Sequence, residues 1–278
     1  MPLGLSDNLF KRVVSALSLL PIVLGLIYLG GWYFFALLAA GGILMLWEWN
    51  KLIGADFKGL TAITGVVAVL FPAAVFTTIS VPGGVITSIA IACFGAVVTI
   101  PPKKIATEGR EHQNRLGSLV GDAYVGMALA ALAWLRTQDE NGLIVIWLFF
   151  AVWAMDVGGY FAGKGIGGPK LAPVISPKKT WAGLIGGMLL AALVSLAISL
   201  IFDLGDPLLM PFAAAFVAVI AQLGDLYESA VKRALDQKDS GNLIPGHGGI
   251  LDRVDGLIFA APAVAVALAV PDLAQVSG

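Results

Sequence analysis

Charge is what this sequence has least of. Only 13% of its 278 residues are Asp, Glu, Lys or Arg, against 58% that are hydrophobic, whereas a soluble domain averages about a quarter charged. With a mean hydropathy of +0.90, a fold in water would have to bury nearly all of its apolar surface, and the interior of a chain this size is too small for that. The 17 Lys and Arg nearly balance the 18 Asp and Glu, so no basic excess points to nucleic acid and no acidic block to a disordered tail. Cys93 is the single cysteine. That excludes an intrachain disulfide framework and a cysteine-built zinc site, and leaves Cys93 as a small buried hydrophobe.

What the chain has in quantity is uncharged length and glycine, 34 residues of it. Glycine lets membrane helices pack closely. Apolar runs near 13–29, 31–49, 61–79, 84–100, 119–135, 143–161, 181–201, 208–224 and 257–271 each approach the roughly 17 to 20 residues needed to cross a bilayer. The expected fold class is therefore an all-α polytopic membrane protein with about nine transmembrane helices, the count uncertain by one because glycine-interrupted spans can be re-entrant. The apolar run after Lys11 and Arg12 flows through Gly30 and Gly31 into a second span, which favours an uncleaved first helix over a signal peptide. Trp32, Trp47, Trp49, Trp134 and Trp181 fall near span ends, where interfacial anchoring suffices to explain them.

The basic residues divide unevenly between the two sides of these spans. Lys11, Arg12, Lys51, Lys58, Lys103, Lys104, Arg110, Arg115, Lys164, Lys170, Lys178, Lys179, Lys232, Arg233, Lys238 and Arg253 fall on one side, and only Arg136 on the other. The positive-inside preference then places the amino terminus in the cytoplasm and the carboxyl terminus outside. Two regions result: 1–118, with spans one to four and a basic loop, and 119–278, with spans five to nine and cytoplasmic loops 162–180 and 225–256.

The first region offers little chemistry. Glu48, Lys51, Asp56 and Lys58 read as an ordinary solvated connection, and His112, among mixed charges in 101–118, as part of another. In the second region Asp225, Glu228, Ser229, Lys232 and Arg233 fall at i, i+3, i+4, i+7 and i+8, one stripe of a helix. Taken alone, that stripe is equally an amphipathic helix with internal ion pairs. After it come Lys238, Asp239, then Gly246-His247-Gly248-Gly249, then Asp252-Arg253-Val-Asp255. Glycine-rich backbone can aim successive N–H groups at phosphate oxygens, Arg adds a planar fork, and Asp225, Asp252 and Asp255 could surround a hard cation such as Mg2+. Asp156 lies inside a span, which is costly and marks function by default, although pairing with a neighbouring basic residue is the plainer alternative. Gly163-Lys-Gly-Ile-Gly-Gly168 fits the G-x-G-x-x-G pattern only formally, because it follows a membrane helix and is closed by Pro169. Lys170 to Trp181 reads as a tight basic loop ending in a helix cap, or simply as a positive anchor.

These motifs resemble one family. The run Ser229-x-Val-Lys232-Arg233-x4-Lys238-Asp239-x-Gly241-x2-Ile244-Pro245-x-His247-Gly248-Gly249-Ile250-x-Asp252-Arg253-Val254-Asp255 is similar at every fixed position to the signature of phosphatidate cytidylyltransferases, the CDP-diacylglycerol synthases. So are Gln222-x-Gly-Asp225-Leu-x-Glu228-Ser229, Asp156-x3-Tyr160-Phe-x-Gly163-Lys164 and Lys170-Leu-Ala-Pro-x-Ile-Ser176-Pro-x-Lys179-Thr180-Trp181. The resemblance is close over 150–256. It implies an integral membrane enzyme, in the bacterial inner membrane with its site facing the cytoplasm, that converts CTP and phosphatidate into CDP-diacylglycerol and pyrophosphate. It further implies Mg2+, a second cation such as K+, and a homodimer. By similarity Asp225 and Asp252 are the metal ligands, and Lys232, Arg233, His247 and Asp255 join them as catalytic residues. Substrate binding falls to Ser229, Lys238, Asp239, Gly248, Gly249, Arg253, Lys164, Ser176, Lys178, Lys179 and Asp156. One position departs: Ala182 stands where the family usually carries Glu or Gln.

Two other classes make different demands. A transporter would place its polar groups near the midplane of two related halves, and no repeat is visible. A CDP-alcohol phosphotransferase would carry an Asp-Gly-x-x-Ala-Arg run, whereas Asp255-Gly256 is followed by Leu-Ile-Phe-Ala.

Overall fold

The computed structural model describes residues 19–78, 109–241, 243 and 248–276. The expected span at 84–100, the beginning of the first span, Cys93 and His247 lie outside the described residues, as does the side chain of His112.

The described chain is built almost wholly of helices: α1 (Leu19–Leu29), α2 (Gly31–Leu52), α3 (Gly59–Thr78), α4 (Gly109–Leu135), α5 (Leu143–Gly165), α6 (Trp181–Phe202), α7 (Met210–Ala234) and α8 (Leu251–Val276). Five stretches are long and apolar enough to cross a membrane: α2, the Gly117–Leu135 part of α4, α5, α6 and α7. Their outward side chains include Leu189, Leu193, Leu200, Phe212 and Phe216, all exposed. In water such a surface would be an aggregation liability; in a bilayer it is a lipid face.

Small residues make up much of the bundle interior. Ala128, Ala130, Ala131 and Ala133 of α4, Ala214, Ala218 and Ala221 of α7, and Ala260, Ala261 and Ala265 of α8 are buried. Helices α5 and α6 make the most extensive contact, and glycine is the reason. A Cβ on Gly158 would stand 2.7 Å from the Gly186 carbonyl, and one on Gly183 would stand 2.9 Å from the Gly159 carbonyl. Lipid supplies no hydrophobic drive between helices, so close backbone approach is how they gain contact energy. A buried polar ladder crosses the same layer, with Trp147 Nε1 donating to Ser195 Oγ at 2.7 Å and Ser195 Oγ to the Met210 carbonyl at 2.9 Å.

Three details differ from expectation. The loop at 170–181 is a two-stranded antiparallel hairpin, β1 (Lys170–Ala172) and β2 (Ser176–Thr180), so the fold is not all helical. Gly167 and Gly168, both with positive φ, break the chain away from α5, and Pro173 and Pro177 bar a helix between the strands. Trp49 and Trp134 are not interfacial anchors: both are buried, and Trp49 Nε1 donates to the Gly117 carbonyl at 2.8 Å. Finally, α7 runs ten residues past the expected end of its span into the expected loop 225–256, keeping the stripe from Asp225 to Arg233 on the helix that its spacing implies.

Arg136 is a structural pin. Its guanidinium donates to the carbonyls of Ile27 (2.6 Å), Tyr28, Asp139 and Glu140 (3.0 Å each), tying the end of α1 to the α4–α5 turn. Asp139 closes that turn by accepting from the N–H groups of Leu143 and Ile144 at the start of α5.

Candidate active site

The carboxyl ends of α5 and α7, the hairpin and the amino ends of α6 and α8 all meet at one end of the bundle. Between them lies a cavity of about 530 Å³, lined by Asp156, Tyr160 and Lys164 of α5, Lys170, Lys178 and Lys179 of the hairpin, Thr180, Gly183, and Gln222 and Asp225 of α7. The hairpin folds Lys170 onto Thr180. Its short strands therefore deliver three lysines to a mouth that already has a fourth at the end of α5. Thr180 Oγ1 accepts from the Gly183 N–H at 3.1 Å and caps α6, which fixes where β2 stops and the helix begins.

Two centres can be distinguished. In the cavity, Asp225 forms an ion pair with Lys179 and accepts from Ser229 Oγ at 3.3 Å. Asp156 is close enough to be repelled by Asp225 and attracted by Lys179 and Arg253. Behind it, Lys232 Nζ reaches Asp252 Oδ1 at 2.5 Å and stands 3.4 Å from Glu228 Oε1. Asp255 joins the two, since it interacts unfavourably with Asp225, Glu228 and Asp156. This concentration of acids is possible because Gly224 and Gly256 let α7 and α8 approach: a Cβ on Gly224 would lie 2.5 Å from the Asp255 carbonyl.

Asp252 is the best-held carboxylate. Besides Lys232 it accepts from the Ser240 N–H (3.0 Å to Oδ2) and the Gly249 N–H (3.1 Å to Oδ2). It precedes the apolar stretch of α8. Burial there pushes its carboxyl up, but Lys232 and the two backbone donors outweigh that and hold it below the usual carboxylate range.

Other expected site residues are placed less centrally. Arg233 is exposed and donates to the Gln237 carbonyl at 3.1 Å, along its own helix end. Lys238 and Asp239 are exposed on the following loop, Arg253 is exposed at the start of α8, and Ser176 is half-buried in β2. Gly248, with φ of 87°, adopts a backbone that favours glycine, while Gly249 is buried beside Asp252.

The assigned metal ligands can be tested against this geometry. Among the described residues no three acidic or histidine side chains are gathered to hold a metal ion. Asp225 is engaged by Lys179, and both oxygens of Asp252 are occupied by donors. Lysine ammonium groups, not vacant ligand positions, face these carboxylates. As they stand, the two aspartates do not form a metal cradle.

Sequence reasoning assigned no role to Glu48 or Glu228, both fully buried. Glu228 was visible as a member of the polar stripe, and its inward direction comes from the packing of α7 on α8. Glu48 lies within the 31–49 apolar run, and a charge inside a span is itself a signal. Its reading as part of a solvated connection is corrected here: Oε2 accepts from the Leu251 N–H at 2.9 Å, at the start of α8.

With this geometry in place, comparison with known proteins is decisive. Residues 10–270 match the cytidylyltransferase family. The chain belongs to that family. It is 34% identical over 264 residues to the phosphatidate cytidylyltransferase of Brucella suis, covering 92% of this chain and 91% of that protein. The Pseudomonas aeruginosa phosphatidate cytidylyltransferase is 38% identical over 267 residues, 93% and 96% of the two chains. That of Bacillus subtilis is 44% identical over 143 residues, about half of each. This cytidylyltransferase therefore aligns with its relatives across the helical first half as well as across the lysine-lined end of the bundle.

Proposed function

We propose that this cytidylyltransferase transfers the cytidylyl group of CTP to phosphatidate, giving CDP-diacylglycerol and pyrophosphate. The observation that carries the reading is the cavity at the bundle end, where four lysines and two aspartates meet beside an apolar rim. We take as that rim Tyr160, which lines the cavity and is 60% exposed, and the exposed Val157, Phe161 and Trp181, each the chain neighbour of a lining residue. A diacyl substrate must keep its tails in lipid while its phosphate meets a soluble nucleotide, and a charged cavity opening beside such a rim suits both demands.

The chemistry follows from charge. A phosphatidate oxygen attacks the α-phosphorus of CTP, the bond to the bridging oxygen of the β-phosphate breaks, and pyrophosphate leaves with that electron pair. The nucleophile is already ionised at neutral pH, so no strong base is needed. The obstacle is repulsion between two polyanions. Lys164, Lys170, Lys178 and Lys179 would screen it at the cavity, and Lys232 would stabilise charge growing on the leaving group. Backbone around Gly248 would add donors to phosphate oxygens, the Gly249 N–H being held by Asp252. Asp225 orients Lys179, and Asp252 orients Lys232. Mg2+ would arrive as a counter-ion carried by the CTP triphosphate and neutralise phosphate charge there, together with a second cation such as K+.

The finer architecture is likewise proposed: about nine spans, amino terminus and site facing the cytoplasm, carboxyl terminus outside, in the inner membrane, as a homodimer. Gathering of the lysines at one bundle end and of Arg136 at the other supports that orientation. The test is incorporation of α-labelled CTP into a chloroform-soluble product by purified protein in detergent, with and without phosphatidate. Lipid label that requires phosphatidate supports the reading; label independent of phosphatidate overturns it.

A further inference from the structure

Glu48 lies in the half of the chain that carries none of the signature, yet it is fully buried against the signature loop. Its Oε2 accepts from the Leu251 N–H at 2.9 Å. Glycine backbone adjoins both of its oxygens. A Cβ on Gly241 would stand 2.5 Å from Glu48 Oε1, and a Cβ on Gly249 would stand 2.8 Å from Glu48 Oε2. The carboxylate is therefore seated directly on backbone at both ends of the loop, where any side chain would displace it.

The opposite side of the same backbone faces Asp252. The Ser240 and Gly249 N–H groups, adjacent to or part of the segments that Glu48 touches, both donate to the Asp252 carboxylate. The loop ends are thus clamped between two carboxylates, one from α2 and one from α8. Helix α2 is braced at that level: Ser118 Oγ donates to Asn50 Oδ1 at 2.6 Å, and Trp49 Nε1 to the Gly117 carbonyl at 2.8 Å. A negative charge at the start of α8 also suits the helix dipole.

We infer that Glu48 is a positioning residue for cytidylyl transfer: it fixes the Ser240–Gly241 and Gly248–Leu251 backbone, and through it the placement of Asp252 on Lys232. This rests on the reading that the loop carries the site. In this reading α2 acts as a strut for a loop 203 positions away in sequence.

The test compares E48A, E48D and E48Q with D252N in purified full-length protein. Glu48→Ala removes the acceptor and Glu48→Asp withdraws it by one methylene. Each should lower kcat by roughly tenfold or more, equivalent to about 1.4 kcal/mol of lost positioning, with the phosphatidate KM little changed because the hairpin lysines are untouched. Glu48→Gln keeps an acceptor of the right length and should recover roughly a third of wild-type kcat. Hydrogen exchange should rise in peptides containing Ser240–Gly241 and Gly248–Leu251 and stay unchanged in α5 and α6. Wild-type kcat in E48A, an E48Q no better than E48A, or a rise in exchange spread over all helices would overturn the inference. An inactive D252N beside a fully active E48A overturns it alone, whereas a fully active D252N overturns the reading of the loop on which it rests.

Discussion

Replacing Lys232 by Met isolates the second of the two charge centres. The methionine preserves most of the stem and removes the ammonium that stands 2.5 Å from Asp252 and 3.4 Å from Glu228. The two carboxylates lose unequally. Asp252 keeps the Ser240 and Gly249 donors, whereas neither oxygen of the fully buried Glu228 accepts a hydrogen bond. A buried carboxylate that loses its counter-ion can take up a proton rather than stay charged, so with Asp252 still partly satisfied the loss is about 2 kcal/mol, below the roughly 3–5 kcal/mol of a fully stranded charge. At 2–4 °C per kcal/mol that is roughly a 4–8 °C fall in the detergent melting temperature. Adding Glu228→Gln removes any charge left there and should restore part of the loss. Activity should not return with it, because the lysine itself is missing from the proposed phosphate site. Melting curves and labelled-CTP turnover on K232M and K232M/E228Q separate the two effects. A K232M protein with unchanged melting temperature, or a double variant that regains turnover along with stability, would refute the reasoning.

Other expectations are more local. Arg136→Ala should cost about 2 kcal/mol of stability through the loss of four carbonyl contacts, with turnover per folded molecule unchanged, as read by melting and kcat together. Gly158→Val should separate α5 from α6 and cut the yield of folded protein, since even a Cβ would stand 2.7 Å from the Gly186 carbonyl. The Asp252 carboxyl is held below its ordinary value, so its contribution to stability is complete above the unfolded value of about 3.9 and is lost as pH falls through the folded one. Melting temperature against pH should therefore show an acid limb below about pH 4 that is shallower in D252N. Chelation with EDTA should abolish turnover, and excess Mg2+ should restore it, as read with α-labelled CTP.

Much of the fold was legible because bilayer physics writes itself into composition. Apolar runs of membrane length, the glycine content and the placement of Asp156 and Asp225 all follow from rules that act along the chain. The hairpin at 170–180 was not legible as strands, because basic side chains and prolines mask any alternation. Trp49 and Trp134 were misread for a related reason: proximity to a span end says nothing about which way a ring points. The signature loop announced itself through glycine, histidine and aspartate in one stretch. Glu48 did not, since its partner Leu251 contributes only a backbone N–H, and no side-chain pattern can reveal that contact. Asp225 and Asp252 were legible as important acids, but the lysines that face them come from the hairpin and from two turns along α7. Their pairing depends on tertiary packing that the spacing alone does not encode.

The central claim is tested most directly by purified protein in detergent supplied with α-labelled CTP, phosphatidate and Mg2+. The account predicts a labelled lipid that comigrates with CDP-diacylglycerol, formed in equal amount with pyrophosphate and absent when phosphatidate is omitted. Pyrophosphate release without labelled lipid, or labelled lipid formed without phosphatidate, would contradict it.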